Sequence, residues 1–165
     1  QFRMASGIDA PQDISILDAS LTIPTSVNLP LSIGIPDSYI TDQDLRLKLY
    51  RRLADIRDEP ALASIEMEFV DRFGPLPEQV QNLFFQIKIK LLAAAAGLAS
   101  VGFERKQIIC RFPPLPASIK TRDLPELGFP ILVGKNAYRI QVGDPGNENW
   151  QEPLLKALYK MQKKS

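Results

Sequence analysis

Glu66-Met67-Glu68-Phe69-Val70-Asp71-Arg72-Phe73-Gly74-Pro75-Leu76-Pro77 decides the fold, because it ends one helix, turns and starts the longest helix in the chain. Reading back from the turn, Leu62, Ile65, Phe69 and Phe73 recur at three- and four-residue spacing and make one apolar stripe. Glu68, Asp71 and Arg72 fall on the other side of that helix. Gly74 has access to the left-handed conformation that stops a helix, Pro75 cannot continue one, and Pro77 suits a first helical position. A Glu68 to Arg72 pair at i, i+4 supports the helix, and Arg72 complements its dipole. Asp71 does neither: a carboxylate in a last turn opposes the dipole at a cost of about 0.3–1 kcal/mol. Its face is either solvated surface that tolerates the charge or a charged docking patch.

Upstream of the stretch, Thr41-Asp42-Gln43-Asp44 is a capping-box pattern leading into Leu45, Leu49, Leu53 and Ile56, which predicts a helix to about residue 56. Arg46, Lys48, Arg51 and Arg52 decorate it as a basic face, from which Arg46 or Arg52 could reach a neighbouring carboxylate. Pro60 starts the second helix, which runs to Phe73. The third is expected over 77–96, with Val80, Leu83, Phe84, Ile87, Leu91 and Ala95 on one flank and Phe85, Ile89 and Leu92 on another. So wide an apolar arc predicts a central helix, stopped by Gly97.

Residues 1–28 have no sustained period and read as an arm or linker, with 14–16 and 21–23 as candidate short strands. Leu29, Leu31, Ile33 and Ile35 alternate and predict a strand closed by Pro36. Beyond residue 100, 101–104 with 107–112 and 129–133 with 137–142 predict two hairpins. A short helix is expected over 117–122, a break over 143–149, and an amphipathic helix over 151–163. That last helix directs Leu154, Leu155, Leu158, Tyr159 and Met161 inward and Lys156, Lys160, Lys163 and Lys164 outward. The expected fold is α+β: a helical half of three helices, about 41–97, packed with a small, mainly antiparallel sheet and a C-terminal helix. Residues 29–165 form its single domain.

Composition limits the chemistry. The chain has 165 residues, 45% hydrophobic and 24% charged, and Lys+Arg 20 against Asp+Glu 19 leaves a net charge of +1. No global charge points to nucleic acid or a membrane. Histidine is absent and cysteine occurs once, which removes the usual general base, Ser-His and Cys-His nucleophiles, intrachain disulfides and cysteine-rich zinc sites. Cys110, in an alternating run, reads as a small buried residue. No Gly-rich phosphate cradle occurs, the 143–147 turn lacks calcium-loop ligands, and Glu66 and Glu68 diverge on a helix. No catalytic, cofactor-binding or metal-binding residue is therefore assigned, and the fragment is expected not to be an enzyme. No stretch approaches the roughly 20 apolar residues of a membrane span. Opening at Gln1 without an apolar signal core, the chain is expected to be a piece of a longer protein or to begin with an expression remnant, and its single cysteine fits a reducing, cytoplasmic compartment.

Ile35-Pro36-Asp37-Ser38-Tyr39-Ile40, Arg46-Leu47-Lys48-Leu49-Tyr50-Arg51-Arg52-Leu53 and Glu68-Phe69-Val70-Asp71-Arg72-Phe73-Gly74-Pro75-Leu76-Pro77 occur in that order. Together, over about 29–98, they resemble the C-terminal domain of the bacterial transcription-repair coupling factor. The resemblance implies a parent that is an ATP- and magnesium-dependent DNA translocase acting on RNA polymerase stalled at lesions, and that recruits UvrA through a UvrB-like module. It implies that this domain is a regulatory clamp on that module, hiding the UvrA-binding surface and restraining the motor. Carried over by motif, the contact residues are Glu68, Asp71 and Arg72. The alternative is a nucleic-acid-binding module using Arg46, Arg51, Arg52 and the C-terminal lysines.

Overall fold

The computed structural model describes residues 24–120, 122–142 and 150–164. Its helices begin where orphan backbone donors find acceptors. Helix α1, Gln43–Ala54, is capped by Asp42, whose carboxylate accepts from the N–H groups of Asp44 and Leu45 at 3.0 and 3.4 Å. The cap is thus Asp42 rather than Thr41. Helix α2, Glu59–Phe73, is capped by Asp58 through the Ala61 N–H at 2.8 Å, with Pro60 in its first turn. Helix α3, Glu78–Ala95, starts one residue after Pro77, whose carbonyl accepts from Val80 and Gln81 at 3.0 Å each.

The chain divides into two compact units, one holding Leu31–Lys88 and the other running from Ile89 onward and including the strand before Pro30. The division falls within α3, between Lys88 and Ile89.

In the first unit Leu49, Tyr50, Leu53, Leu62, Phe69, Val80, Leu83, Phe84 and Ile87 are at most 4% exposed and form the core. The strand expected over 29–35 is absent. Its backbone groups are taken one at a time: the Ile35 N–H donates to the Tyr50 hydroxyl at 2.7 Å, the Gly34 N–H to the Gln79 carbonyl at 3.3 Å, and the Ser32 carbonyl accepts from Asn82 at 3.0 Å. The alternation of apolar residues is real, but with these groups committed no ladder can form. Arg46 also departs from expectation, being 4% exposed and donating to the carbonyls of Ile40 and Thr41 at 2.7 and 3.2 Å.

The second unit opens with the end of α3. Leu98 N–H donates to Ala93 and Gly97 N–H to Ala94, each at 3.0 Å, with Gly97 at φ +82°, a Schellman motif. Five strands follow the order β1-β2-β3-β5-β4: β1 Ser26–Asn28, β2 Ser100–Glu104, β3 Gln107–Arg111, β4 Ile131–Val133 and β5 Ala137–Gln141. β1 runs parallel to β2, with Val27 opposite Val101, and the other pairs are antiparallel. Both expected hairpins are present. The last residues of the expected arm form β1, and the candidate strands at 14–16 and 21–23 lie outside the described residues, as does the 143–149 break.

Helix α4, Gln151–Lys164, buries Leu154, Ala157, Leu158 and Met161. Tyr159, expected inward, is 39% exposed. Trp150 meets Phe103 edge to face at 6.0 Å, and Met161 shares a cavity wall with Tyr138, so α4 covers the sheet face that carries these rings. The helix expected over 117–122 is a single turn closed by Ile119 N–H to the Pro116 carbonyl. Arg122 is drawn away from it, its N–H donating to the Lys135 carbonyl at 2.8 Å and its guanidinium to Asn136 and Pro113. Cys110 is fully buried on central strand β3, and burial pushes its thiol up to about 12.

Arg105 and Lys106 join β2 to β3 at φ +52° and +63°. Left-handed backbone costs an ordinary residue about 1–2 kcal/mol, and tight hairpins prefer Asn-Gly there. Arg105→Asn combined with Lys106→Gly should raise the unfolding free energy by about 1 kcal/mol, read by urea unfolding followed through Trp150 fluorescence; an unchanged midpoint would show that the turn is unstrained.

Candidate docking face on the second helix

Helix α2 turns its Leu62, Ile65, Phe69 and Phe73 stripe inward: Leu62 and Phe69 are buried, Ile65 and Phe73 half-buried. The remainder of the helix follows from that choice. Ala63, Met67 and Val70, at i, i+4 and i+7, make an apolar strip on the open side, Met67 being 72% and Val70 46% exposed. Glu66 and Asp71 border the strip, and with Ser64 these residues line one open surface.

Glu68, Asp71 and Arg72 are neighbours on this helix but are not equivalent. Arg52 of α1 grips Glu68 bidentately, Nη1 to Oε2 at 2.7 Å and Nη2 to Oε1 at 2.9 Å. Arg72 donates to the same Oε2 at 2.9 Å, the i, i+4 pair expected from sequence. The hydrogen bonds from Arg52, and then from Arg72, hold the Glu68 carboxyl down to about 2. Arg72 also lies over the Phe73 ring at 4.9 Å. Two guanidiniums around one carboxylate leave this corner one positive charge in excess.

Asp71 is exposed, and among the described residues it has no ion-pair partner. It stands one helical turn beyond Met67, between the positive corner and the apolar strip. The surface therefore changes character across the helix, from a net positive cluster through Asp71 to exposed methyl and thioether groups, ending at Glu66.

Arg52 belongs to this cluster although motif matching selected only Glu68, Asp71 and Arg72; its possible reach to a carboxylate was the sole signal. Met67 and Val70 were readable as residues off the apolar stripe, yet the charge pattern alone did not select them. Of the basic residues named for nucleic acid, Arg46 is buried on carbonyls, Arg52 is engaged by Glu68, and Arg51 is exposed. The side chains of Lys163 and Lys164 lie outside the described residues. Among the described residues no three His, Cys, Asp or Glu side chains come together as metal ligands, and no helix is long and apolar enough to cross a membrane.

Among the described residues, four helices with a five-stranded mixed sheet define an α+β domain of known architecture. A solved C-terminal domain of transcription-repair coupling factor shares it with a TM-score of 0.66, covering 86% of this chain and 96% of that one; at 20% identity the likeness is one of fold. The TRCF domain family model matches residues 29–121, more than half the sequence, and the chain belongs to that family. Similar relatives are the transcription-repair-coupling factors of Rickettsia typhi, 36% identical over 101 residues, and Rickettsia bellii, 47% over 70 residues. That of Escherichia coli is 31% identical over 88 residues. These matches cover 61%, 42% and 53% of this chain but only 9%, 6% and 8% of the relatives, so the chain corresponds to a small part of their length.

The depressed Glu68 carboxyl gives a signed pH dependence. Its folded value of about 2 lies below the ordinary 4.5, so its contribution to stability is complete above 4.5 and is lost as pH falls toward 2. The carboxylate is 33% exposed, so the effect is screened by solvent. A carbon-detected titration should find Glu68 titrating near 2 and moving up toward 4.5 in Arg52→Ala; titration at the ordinary value in the wild type would mean the cluster does not form.

Proposed function

We propose that this chain is a regulatory docking domain of a transcription-repair coupling factor, in which the open face of α2 closes on the UvrB-like module of the same parent. In the closed form it masks UvrA binding and restrains the ATP-driven motor that displaces stalled RNA polymerase in transcription-coupled nucleotide-excision repair. ATP and magnesium are used by the parent's motor, DNA is engaged by that motor, and the assembly works in the cytoplasm.

The observation that supports this reading is the exposed Asp71, without an ion-pair partner among the described residues, beside Met67 and Val70. Glu68 contributes differently from the way its position in the motif suggests. With its oxygens occupied by Arg52 and Arg72, it arranges two cations and leaves Asp71 as the available acid of the three motif residues. A tethered partner meets such a face at effective concentrations near the millimolar range, so a weak contact suffices to keep the closed form populated. Release requires only a ligand that prefers the open form.

Calorimetric titration of this domain with the parent's UvrB-like module tests the reading. Asp71→Lys should weaken binding by about 2 kcal/mol or more if the charge is desolvated on docking, and Met67→Ser should weaken it independently. In the full-length parent, Asp71→Lys should raise UvrA binding and basal ATPase. Unchanged affinity and ATPase, with folding intact by circular dichroism, would remove the assignment. Tight, steeply salt-dependent binding to duplex DNA by the isolated chain would favour the nucleic-acid reading instead.

A further inference from the structure

Far from α2 in sequence, the edge strand β4 carries a second surface without a partner among the described residues. Among the described residues β4 pairs only with β5, with Ile131 opposite Ile140, Leu132 opposite Arg139 and Val133 opposite Tyr138. At the hairpin the Gly134 N–H donates to the Ala137 carbonyl at 2.8 Å. Antiparallel ladders alternate, so Leu132 exchanges bonds with Arg139 while the backbone groups of Ile131 and Val133 point outward. The Ile131 N–H turns back to the Gly128 carbonyl at 2.9 Å, which leaves the Val133 N–H and the carbonyls of Ile131 and Val133 along the outer edge.

The side chains around that edge are unusually bare. Phe129 is 87% exposed, and Leu132 and Val133 are 41% each. Beside them a groove of about 590 Å³ is lined by Phe129, Pro130, Ile131, Pro153, Lys156 and Lys160. Lys160 spends one donor on the Leu127 carbonyl at 3.1 Å and keeps others, since an ammonium has three. Lys156 faces Glu152 at a loose 3.8 Å and is 69% exposed. Glu152 also lines the groove, so two lysines against one glutamate leave it with one positive charge in excess.

We propose that the outer edge of β4 and the adjoining face of α4 bind an extended acidic segment of a partner protein, added to the sheet as a further strand. The chemistry sets the pattern of that segment. Side chains of an added strand alternate between faces. Those on the α4 side meet Lys156 and Lys160 and should be carboxylates; those on the other side lie beside Leu132 and should be apolar. Phe129 gives the edge a further apolar contact. Free main-chain groups together with bare aliphatic side chains favour a peptide over a nucleic acid, which would find a single aromatic ring there and no continuous basic track.

Panning a random displayed peptide library against the whole chain tests this. Enriched peptides should alternate acidic and apolar residues, and a synthetic peptide of that pattern should shift the amide resonance of Val133. Phe129→Ser and Lys156→Glu, both at exposed positions, should weaken its binding by about tenfold or more, and Asp71→Lys should leave it unchanged. Failure to enrich that pattern, enrichment of basic peptides, or indifference to both substitutions would overturn the proposal. So would tighter binding of oligothymidylate than of the peptide. Self-association of the chain, abolished by Phe129→Ser, would assign the edge to a second copy instead and equally overturn it.

Discussion

The hydroxyl of Tyr39 is the contact on which the geometry of the first unit depends. It lies 2.8 Å from the Gly74 carbonyl and 3.2 Å from the Phe69 carbonyl, so one phenol closes the end of α2 and holds the turn that follows. Gly74 makes that turn possible with φ +95° and ψ −173°, a region essentially reserved for glycine and different from the left-handed helical conformation expected of a helix stop. The rings then lock edge to face in sequence: Tyr39 on Phe73 at 6.0 Å, Phe73 on Phe69 at 5.8 Å, and Phe69 on Phe84 of α3 at 5.2 Å. Each such pair adds about 0.5–1.5 kcal/mol beyond the area it buries. With the rings fixed, the azimuth of α2 is fixed, and with it the direction in which Met67, Asp71 and Arg72 point.

Much of this was legible because the deciding signals are local. The Leu62 to Phe73 stripe, Gly74, Gly97 and the two hairpins each rest on a few consecutive residues, and the structure has all of them. The errors share a cause. Residues 29–35 alternate like a strand, but what they do was decided by Tyr50 and by Gln79 and Asn82 of α3, whose approach no periodicity reveals. Arg46 sits among Lys48, Arg51 and Arg52 as if on a solvated face, yet the carbonyls of Ile40 and Thr41 draw it inside. Residues 117–122 could not become a helix once Arg122 was committed to the distant 135–136 loop. The i, i+4 bridge of the candidate site was visible in advance, whereas the stronger bidentate hold comes from Arg52, sixteen positions away.

The Arg52, Glu68 and Arg72 cluster contributes little as a stabilising device, since ion pairs whose side chains are 33–44% exposed are worth about 0–1 kcal/mol. Its physical effect is one of arrangement. Two long, rotamer-rich side chains are held in place by a common carboxylate, so a surface meeting them encounters ordered guanidiniums and need not spend binding energy ordering them. The same carboxylate cancels one of the two charges, so the Asp71 beside it faces a modest field.

Trp150 and Cys110 are each the sole residue of their type in the chain, and both are buried in the second unit, one beside Phe103 and the other in the middle of β3. Indole emission and thiol accessibility are therefore native spectroscopic and chemical clocks for the sheet alone. The rate at which a reagent reaches Cys110 measures how often the sheet opens. A second thiol engineered onto α2 would keep separate time for the helical unit, and the two could be read in one sample without first removing the natural cysteine.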